Sequence, residues 1–229
     1  MISVIIPTLN AEASLGPTLA ALVPAAVDGL IREVIVVDAN SADRTAAIAD
    51  GAGANLLVCS GGRGRQLAAG AAGARFPWLM FLHADTVLEP GWERHASTFM
   101  ERVDSGAQPA AAAAFRFALD DDGVRPRLLE QFVALRCSVL RLPYGDQGLL
   151  LPKTLYDEIG GYLPLPLMED VDIVGRLGRR RLCMLRCRAV TSAERFRRAG
   201  YARRSARNLL CVTMYSLGVP MPVIQRLYG

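Results

Sequence analysis

Lysine and histidine are nearly absent from this chain of 229 residues. Its one lysine is Lys153, and its two histidines are His83 and His95. Because no Gly-Lys-Ser or Gly-Lys-Thr triplet occurs, the sequence contains no Walker A phosphate loop. With two histidines and no recognisable serine–histidine–aspartate order, it also gives no indication of a hydrolase triad.

The five cysteines are scattered, and only Cys183 and Cys187 lie close together in the sequence. This spacing does not indicate a metal site, and an odd cysteine count without a signal peptide predicts a reducing, cytoplasmic location. Long apolar runs are missing as well. The longest candidate, residues 209–224, is interrupted by one glycine and two prolines, so we expect no transmembrane helix.

Hydrophobic residues make up 52% of the chain, which is sufficient for the core of a single domain spanning residues 1–229. The basic residues are almost all arginine, since 26 basic residues less one lysine leave 25. Alanine is also abundant, and we attribute both features to compositional bias. The net charge of +4 therefore does not predict a nucleic-acid partner.

Short apolar segments alternate with helical segments along the first 105 residues. Apolar runs without polar alternation are typical of strands buried on both faces. We predict strands at residues 2–7, 33–38, 55–59 and 78–82, and helices at 14–27, 43–50, 66–74 and 91–103. Repeated strand–helix units predict an α/β fold with a mostly parallel central sheet and helices on both faces.

The second half of the chain, residues 106–229, has a looser pattern and is predicted to end in a helical tail. We predict further strands at residues 109–119, 149–151 and 182–191, and helices at 127–141, 153–159, 168–177 and 195–217. No internal repeat or linker separates the two halves, so we treat them as parts of one domain.

Two predicted strands end at an aspartate, the second at Asp38 and the fourth shortly before Asp85. In an open parallel sheet, ligands bind just outside the carboxyl ends of the strands. One such aspartate is often a helix cap, but two on separate strands indicate a shared cleft. His83 could contribute to a metal site, although a histidine at a strand end is more often a hydrogen-bonded structural residue.

Three charged segments each have a structural and a functional interpretation. The glycine-rich turn Gly61-Gly-Arg-Gly-Arg65 precedes a helix and could bind a phosphate, or it could be a flexible surface loop. Glu169 and Asp170 begin a predicted helix, where the helix dipole alone would favour carboxylates. Residues 176–207 contain many arginines, which could form a solvated face, or could contact anionic lipid or a substrate phosphate.

Taken in order, these motifs resemble the family-two glycosyltransferases, which have the GT-A fold. The resemblance is carried by residues 7–12, 36–45 and 81–86, by the arginine-containing turn and by Met168-Glu-Asp170. Within that family, residues 62–66, 83–86 and 144–148 resemble the subgroup called radical-SAM/selenodomain-associated transferase 2. The resemblance extends over nearly the whole chain, and its motifs are most specific in the N-terminal half.

The resemblance implies a nucleotide-binding half (residues 1–105) and an acceptor-binding half (residues 106–229), with a role for each motif residue. The nucleotide would be bound by Thr8, Asn10, Glu12, Asp38, Arg65 and Ala84. Asp85, with His83, would hold a divalent metal, Mg²⁺ or Mn²⁺. Asp170, beside Glu169, would be the general base, and Tyr144, Asp146 and Gln147 would border the sugar and the acceptor.

The implied reaction is an inverting transfer of a sugar from a nucleotide-diphosphate donor, expected to be UDP-linked, to an acceptor hydroxyl. Carboxylates suit Mg²⁺ or Mn²⁺ against a leaving diphosphate, and a carboxylate can activate a hydroxyl. The sequence departs from the family pattern twice. His83 replaces the first acid of the usual Asp-x-Asp motif, and Asp38 is followed by Ala-Asn-Ser instead of a second acid or glycine pair.

Two other interpretations compete with this one. A nucleotidyltransferase of related fold would also use a strand-end aspartate and a metal. Such enzymes usually carry a glycine- and arginine- or lysine-rich signature after the first strand, where this chain has Thr8-Leu-Asn-Ala-Glu12. Alternatively, the arginine-rich segment and the apolar tail, residues 209–228, could make the protein a module that binds a membrane surface or a partner, including a second copy of itself.

Overall fold

A computed structural model describes residues 1–228 as one mixed α/β structure. Its strands are β1 (Ile2–Thr8), β2 (Ile31–Asp38), β3 (Asn55–Val58), β4 (Trp78–Phe81), β5 (Thr86–Leu88), β6 (Ala112–Leu119), β7 (Leu149–Pro152) and β8 (Leu182–Thr191). Its helices are α1 (Glu12–Ala20), α2 (Val23–Val27), α3 (Thr45–Gly51), α4 (Arg63–Gly73), α5 (Trp92–Asp104), α6 (Val124–Leu140), α7 (Lys153–Glu158), α8 (Glu169–Leu177), α9 (Glu194–Ala199), α10 (Tyr201–Ser216) and α11 (Met221–Tyr228).

All eight strands belong to one sheet with the order β3-β2-β1-β4-β7-β6-β8-β5. The first four strands, β1 to β4, pair in parallel, whereas β5 pairs antiparallel with β8. β7 is antiparallel to both β4 and β6, whereas β6 and β8 are parallel. This arrangement confirms the predicted mostly parallel sheet, and it brings β7 beside the carboxyl end of β4.

The sheet is covered by helices on both faces, as predicted. Alternating residues of β1 point to opposite sides, so Val4 and Ile6 join a core cluster with α1, α2 and α5, whereas Ile5 joins one with α4, α7 and α8. β4 is buried along its whole length on both faces. β3 lies at the sheet edge and is exposed, because it pairs with β2 alone.

Two predicted helices are each divided in the structure, and one strand was not predicted. The helix predicted at residues 14–27 is two helices, α1 and α2, separated by a turn. The helix predicted at 195–217 is divided into α9 and α10 at Gly200, whose φ of +79° lies in the left-handed region. β5 was not predicted, because three residues are too few to show a periodicity.

The C-terminal helices pack onto the body of the domain through a small cluster built around Met168, Cys211 and Ile224. No helix in the described part of the chain combines the length and the apolar content needed to cross a membrane. The five cysteines all lie within the described residues, and each is a free thiol.

Candidate active site

Two loops follow the carboxyl ends of β1 and β2 and are bound to each other by side chains. We call residues 8–12 and 38–45 the loop clasp. At its centre lies buried Asp38, whose Oδ1 accepts hydrogen bonds from Thr8 Oγ1 (2.8 Å) and Ser41 Oγ (2.5 Å). Its Oδ2 accepts one from the Ser41 backbone N–H (2.7 Å). Both carboxylate oxygens therefore have protein partners.

The other predicted nucleotide-binding residues of the first loop also belong to the clasp. Asn10 Oδ1 accepts a hydrogen bond from the Ala42 N–H (3.0 Å), and Glu12 Oε2 accepts one from the Arg44 N–H (3.1 Å). Asn10 has a φ of +50°, a conformation that asparagine tolerates better than most residues. The structure thus brings the predicted residues together, and their binding of a nucleotide stays a prediction.

A third strand-end segment, residues 82–86, leads from β4 into β5. Its backbone is held on both sides, since Thr18 Oγ1 donates to the Ala84 carbonyl (3.0 Å) and the Ser192 N–H donates to the Asp85 carbonyl (3.0 Å). With the main chain fixed in this way, the side chains of His83 and Asp85 point into a common polar cavity.

The polar cavity draws its lining from the end of β4, the segment before β7, the start of α8 and the C-terminal helices. Its polar lining residues are Arg63, His83, Asp85, Tyr144, Asp146, Asp170, Thr191, Ser192, Arg195, Arg204, Asn208 and Tyr228. Its volume is about 100 Å³. Pockets for complete small-molecule ligands usually measure roughly 300–1,000 Å³, so a nucleoside would have to lie outside it, towards the loop clasp.

Asp146 is the carboxylate of this cavity that lacks a full set of partners. It lies in a short 3₁₀ helix, Gly145–Gln147, and its buried Oδ1 has no hydrogen-bond partner within residues 1–228. Burial raises the pKa of Asp146 to about 6, and the nearby carboxylates of Asp170 and Asp85 act in the same direction. A buried oxygen without a partner is costly, so this carboxylate is suited to a ligand.

Asp170 enters the cavity from the first turn of α8. Its Oδ2 accepts a hydrogen bond from the Gly145 N–H (2.8 Å), and its Oδ1 accepts one from the Val171 N–H (2.9 Å). These bonds fix the orientation of the carboxylate. Gly145 also lies close to His83, because a Cβ at position 145 would stand 2.6 Å from His83 Nε2. Asp146, Asp170 and His83 are therefore held by one tightly packed turn.

The neighbouring acid, Glu169, serves a different purpose from Asp170. Its side chain is buried and accepts a hydrogen bond from Arg63 Nε in an ion pair. Burial raises the pKa of Glu169, against the effect of the Arg63 guanidinium. Arg63 also approaches Asp170, with 4.0 Å between Nη2 and Oδ2. Glu169 thus anchors Arg63. Within the described residues, 1–228, it is not part of the lining of the polar cavity.

The glycine-rich turn before α4 owes its composition to close backbone packing. A Cβ at Gly64 would lie 2.3 Å from the carbonyl oxygen of Leu163, and the Gly64 N–H donates to the carbonyl of Leu165 (3.2 Å). Gly62 has a φ of +101°, a conformation suited to glycine. The turn therefore places Arg63 against Glu169, which explains the glycines without requiring a phosphate.

Arg65, the arginine predicted to lie near the nucleotide, is exposed and packs back against Gly61. It is not among the described residues of the cavity lining, and Arg63 takes that place instead. The turn nevertheless lies beside the loop clasp, since buried Gln66 donates to the carbonyls of Thr8 (2.9 Å) and Val37 (2.7 Å). A contact between Arg65 and a bound nucleotide stays a prediction.

Gln147 is a correction to the predicted sugar and acceptor site. Its side chain is buried, and Nε2 donates to the carbonyl of Phe115 (2.9 Å). Its Oε1 accepts from Arg136 Nη2 (3.2 Å) and from the Tyr144 N–H (3.2 Å). Because these bonds occupy both ends of the amide, Gln147 holds the loop in place and is not part of the cavity lining within the described chain.

Tyr144 lines the cavity, and its predicted contact with the sugar or the acceptor stays a prediction. The Arg136 guanidinium stacks over its ring, 3.5 Å from the centroid. Cation–π stacking of this kind orients the ring at the cavity wall. Burial raises the pKa of Tyr144, so the phenol stays protonated at neutral pH.

The residues that sequence reasoning missed are mostly arginines of the C-terminal region. Arg195 Nη2 lies 4.0 Å from Asp85 Oδ2, and Arg204 and Asn208 line the cavity from α10. The sequence showed them only as members of a long arginine-rich segment. Arg195 lies in α9, whereas Arg204 and Asn208 lie in α10, which begins after the left-handed residue Gly200.

The chemistry of the cavity carboxylates fits a hard divalent cation. Asp85 and Asp146 both line the cavity, and a cation would satisfy the orphaned Asp146 oxygen and stabilise its charge. Burial, with the charges of Arg63 and Arg195, lowers the pKa of His83 well below its usual value, so this imidazole is neutral. No three acidic, cysteine or histidine side chains among residues 1–228 form a metal site by themselves. Ligand and water oxygens would therefore have to complete the coordination.

Solved structures with the same fold are numerous. Glucosyl-3-phosphoglycerate synthase from Mycobacterium tuberculosis, in a complex with Mn²⁺, UDP and glucosyl-3-phosphoglycerate, is 20% identical with a TM-score of 0.63, covering 96% of this chain and 81% of that one. S. aureus TarS is 18% identical with a TM-score of 0.64, and the match covers 99% of this chain and 69% of that one. A structure described as a mycobacterial protein is 20% identical with a TM-score of 0.66, covering 96% and 75%. At these identities the similarity shows the fold.

Sequence comparison identifies the family. No curated protein matches the chain. The family model described as glycosyl transferase family 2 matches residues 3–160, which is more than half of the 229 residues and includes the loop clasp, the end of β4 and the 3₁₀ helix with Asp146. This match favours glycosyl transfer over the nucleotidyltransferase interpretation. The chain belongs to glycosyl transferase family 2 and is a glycosyltransferase of the GT-A fold.

Proposed function

We propose that this enzyme transfers a sugar from a nucleotide-diphosphate donor, UDP-linked, to an acceptor hydroxyl with inversion at the anomeric carbon. The observation that carries the proposal is the convergence of Asp85, Asp146 and Asp170 from three separate segments on one cavity. Family membership supports sugar transfer, and the similar M. tuberculosis synthase was crystallised with UDP and Mn²⁺.

In this proposal the donor lies along the carboxyl edge of the sheet. The base and ribose would contact the loop clasp through Thr8, Asn10, Glu12 and Asp38, with Arg65 nearby. The diphosphate would extend past Ala84 to Asp85. Arg63 and Arg195, which already line the cavity, would neutralise part of its charge.

A divalent cation, Mg²⁺ or Mn²⁺, would be held by Asp85 and Asp146, with His83 adjacent, and when bound it supplies charge stabilisation for the leaving diphosphate. Asp170 would accept the proton of the acceptor hydroxyl, since its carboxylate is fixed at the cavity wall by the Gly145 and Val171 N–H groups. A single displacement requires no second nucleophilic carboxylate.

We further assign the chain to the radical-SAM/selenodomain-associated transferase 2 subgroup. The assignment rests on residues 62–66, 83–86 and 144–148. In the structure these segments carry Arg63, His83 and Tyr144 to the same cavity.

The five free thiols are consistent with a cytoplasmic location, because a reducing compartment keeps cysteines unpaired.

A thermal-shift experiment tests the donor proposal. Ligand present at about 100 times its Kd stabilises a folded protein by roughly 2.7 kcal/mol, which is about 5–10 °C in Tm for a chain of this size. We expect UDP with Mn²⁺ to raise Tm in this range, and UDP alone to raise it less. The Asp85→Ala variant should lose the increment that depends on Mn²⁺. If no nucleoside diphosphate raised Tm, with or without metal, the proposal would be wrong.

A further inference from the structure

A long apolar groove lies between α6 and α10, outside the polar cavity. Its volume is about 1390 Å³, well above the roughly 300–1,000 Å³ of pockets for compact ligands. One wall is a stripe on α6 formed by Leu128, Phe132, Leu135 and Val139. A stripe with this spacing normally faces a core, yet here Phe132 is 67% exposed.

The opposite wall is formed by α10 and is equally unusual. Leu209, in the middle of the helix, is 65% exposed and lines the groove, with the smaller residues Ser205, Ala206 and Thr213 beside it. A contiguous exposed apolar surface of this kind indicates a binding site. The small residues leave room for an elongated apolar ligand between the two helices.

The groove adjoins the polar cavity, because Tyr144 and Val212 line both. A molecule whose tail lies in the groove would therefore have its head next to the candidate active site. On its cavity side α10 carries Arg204. Its guanidinium interacts with the Tyr228 hydroxyl and lies 5.2 Å from the centroid of the Phe196 ring. Within residues 1–228 it forms no ion pair and its buried Nε has no hydrogen-bond partner, so it lacks an anionic partner.

We propose that the acceptor is an amphiphile whose hydrocarbon chain occupies the groove and whose head lies in the polar cavity, with an anionic group at Arg204 and the acceptor hydroxyl towards Asp170. The hydroxyl oxygen would bond to the anomeric carbon as the nucleoside diphosphate leaves, and Asp170 would take the proton. This inference rests on the proposed function, because it names the acceptor for the same site. The charges on the groove favour an anionic amphiphile. Arg125, Arg136 and Arg203 line the groove, and no acidic residue of the described chain does.

Isothermal titration with alkyl phosphates below their micellar concentrations tests the proposal. Each fully buried methylene contributes about fourfold in affinity, so the six additional methylenes of decyl phosphate over butyl phosphate set a ceiling of about 4,000-fold. In a half-open groove we expect decyl phosphate to bind at least about 100-fold more tightly. Equal affinities for the two compounds would overturn the proposal.

Two variants distinguish the binding of the hydrocarbon tail from the binding of the anionic head. Leu209→Asn should weaken decyl phosphate about tenfold and leave butyl phosphate unchanged. Leu210→Asn is the matched control, because Leu210 is the next residue of α10, is 49% exposed and is not among the described residues lining the groove. Arg204→Gln should weaken both compounds by the same factor. An equal effect of the two leucine variants on decyl phosphate would contradict the assignment of the groove.

Two other occupants of the groove, a second copy of the protein and a lipid bilayer, would give different experimental results. If a second copy covered it, sedimentation would show a wild-type dimer that Leu209→Asn dissociates, and decyl phosphate would not bind the dimer. If a bilayer covered it, anionic vesicles would bind the protein while monomeric decyl phosphate would not. Either result would overturn the proposal. The donor test remains separate, because UDP raises Tm regardless of the groove if the glycosyltransferase proposal is right.

Discussion

The loop clasp and the polar cavity lie at the same edge of the sheet, and both contain buried or half-buried carboxylates. In the clasp, Asp38 has three hydrogen bonds from protein donors, so both of its oxygens have protein partners. In the cavity, Asp146 keeps an oxygen without a partner in the described chain, and Asp85 has only an ion pair at 4.0 Å with an exposed arginine.

This difference separates structural carboxylates from those kept for ligands. A fully bonded acid stabilises the fold and preorganises a backbone surface, whereas an unsatisfied one weakens the fold and retains its capacity to bind. We therefore expect substitutions in the clasp to affect mainly stability, and substitutions in the cavity to affect mainly binding and catalysis.

Asp170→Asn should give the largest effect. Removing a general base typically slows a reaction by about 10²–10⁴-fold, so transfer by this variant should fall in that range. Nucleotide binding should persist, because Asp170 faces the acceptor in the proposed site. The measurement is a steady-state transfer assay with the donor found by thermal shift, together with the Tm shift caused by UDP and Mn²⁺.

Asp172→Asn provides the control for this variant. Asp172 lies on the same first turn of α8 but pairs with Arg176 and accepts a hydrogen bond from Tyr215, away from the cavity. Its transfer rate should remain within a few-fold of the wild type. Full transfer by Asp170→Asn, or an equal loss in both variants, would remove Asp170 as the base.

How far the sequence predicts this site depends on the kind of element involved. The ends of β1, β2 and β4 could be predicted, because buried parallel strands have continuous apolar runs that stop at polar residues. The approach of Asp146 to Asp85 could not, since it depends on β7 pairing antiparallel beside β4, with Leu149 opposite Phe81. The structural role of Gly64 was also invisible, because it depends on the carbonyl of Leu163.

A comparison of the Asp38→Ala and Asp85→Ala variants tests the distinction between the bonded carboxylate of the loop clasp and the carboxylates of the cavity. Removing Asp38 takes the acceptor from two partly buried donors of Ser41 and leaves the Thr8 hydroxyl with a 3.4 Å bond to the Val37 carbonyl. Each unsatisfied buried group costs about 1–3 kcal/mol. We expect the free energy of unfolding to fall by about 3 kcal/mol. Asp85→Ala should change it by less than about 1 kcal/mol, because a partly exposed pair at 4.0 Å contributes little. Equal destabilisation in urea unfolding would contradict the distinction.

Asp146→Asn should stabilise the protein, and the effect should depend on pH. The pKa of Asp146 is raised by burial from 3.8 to about 6, so between these values the folded protein keeps a proton that the unfolded chain releases. Stability of the wild type therefore falls as pH rises through this window, whereas the amide of the variant does not titrate and has no such dependence. One pKa unit corresponds to about 1.36 kcal/mol, and with partial solvent screening we expect a gain of about 2 kcal/mol at pH 7 and almost none at pH 4.

Urea unfolding at both pH values measures the effect of Asp146→Asn, and Asp122→Asn, at an exposed loop position, is the control that should change little. Saturating Mn²⁺ with UDP should reverse the order of stability at pH 7, because only the wild type offers the carboxylate to the cation. A variant that is less stable than the wild type at pH 7 without ligand would show that Asp146 belongs with the bonded acids of the clasp.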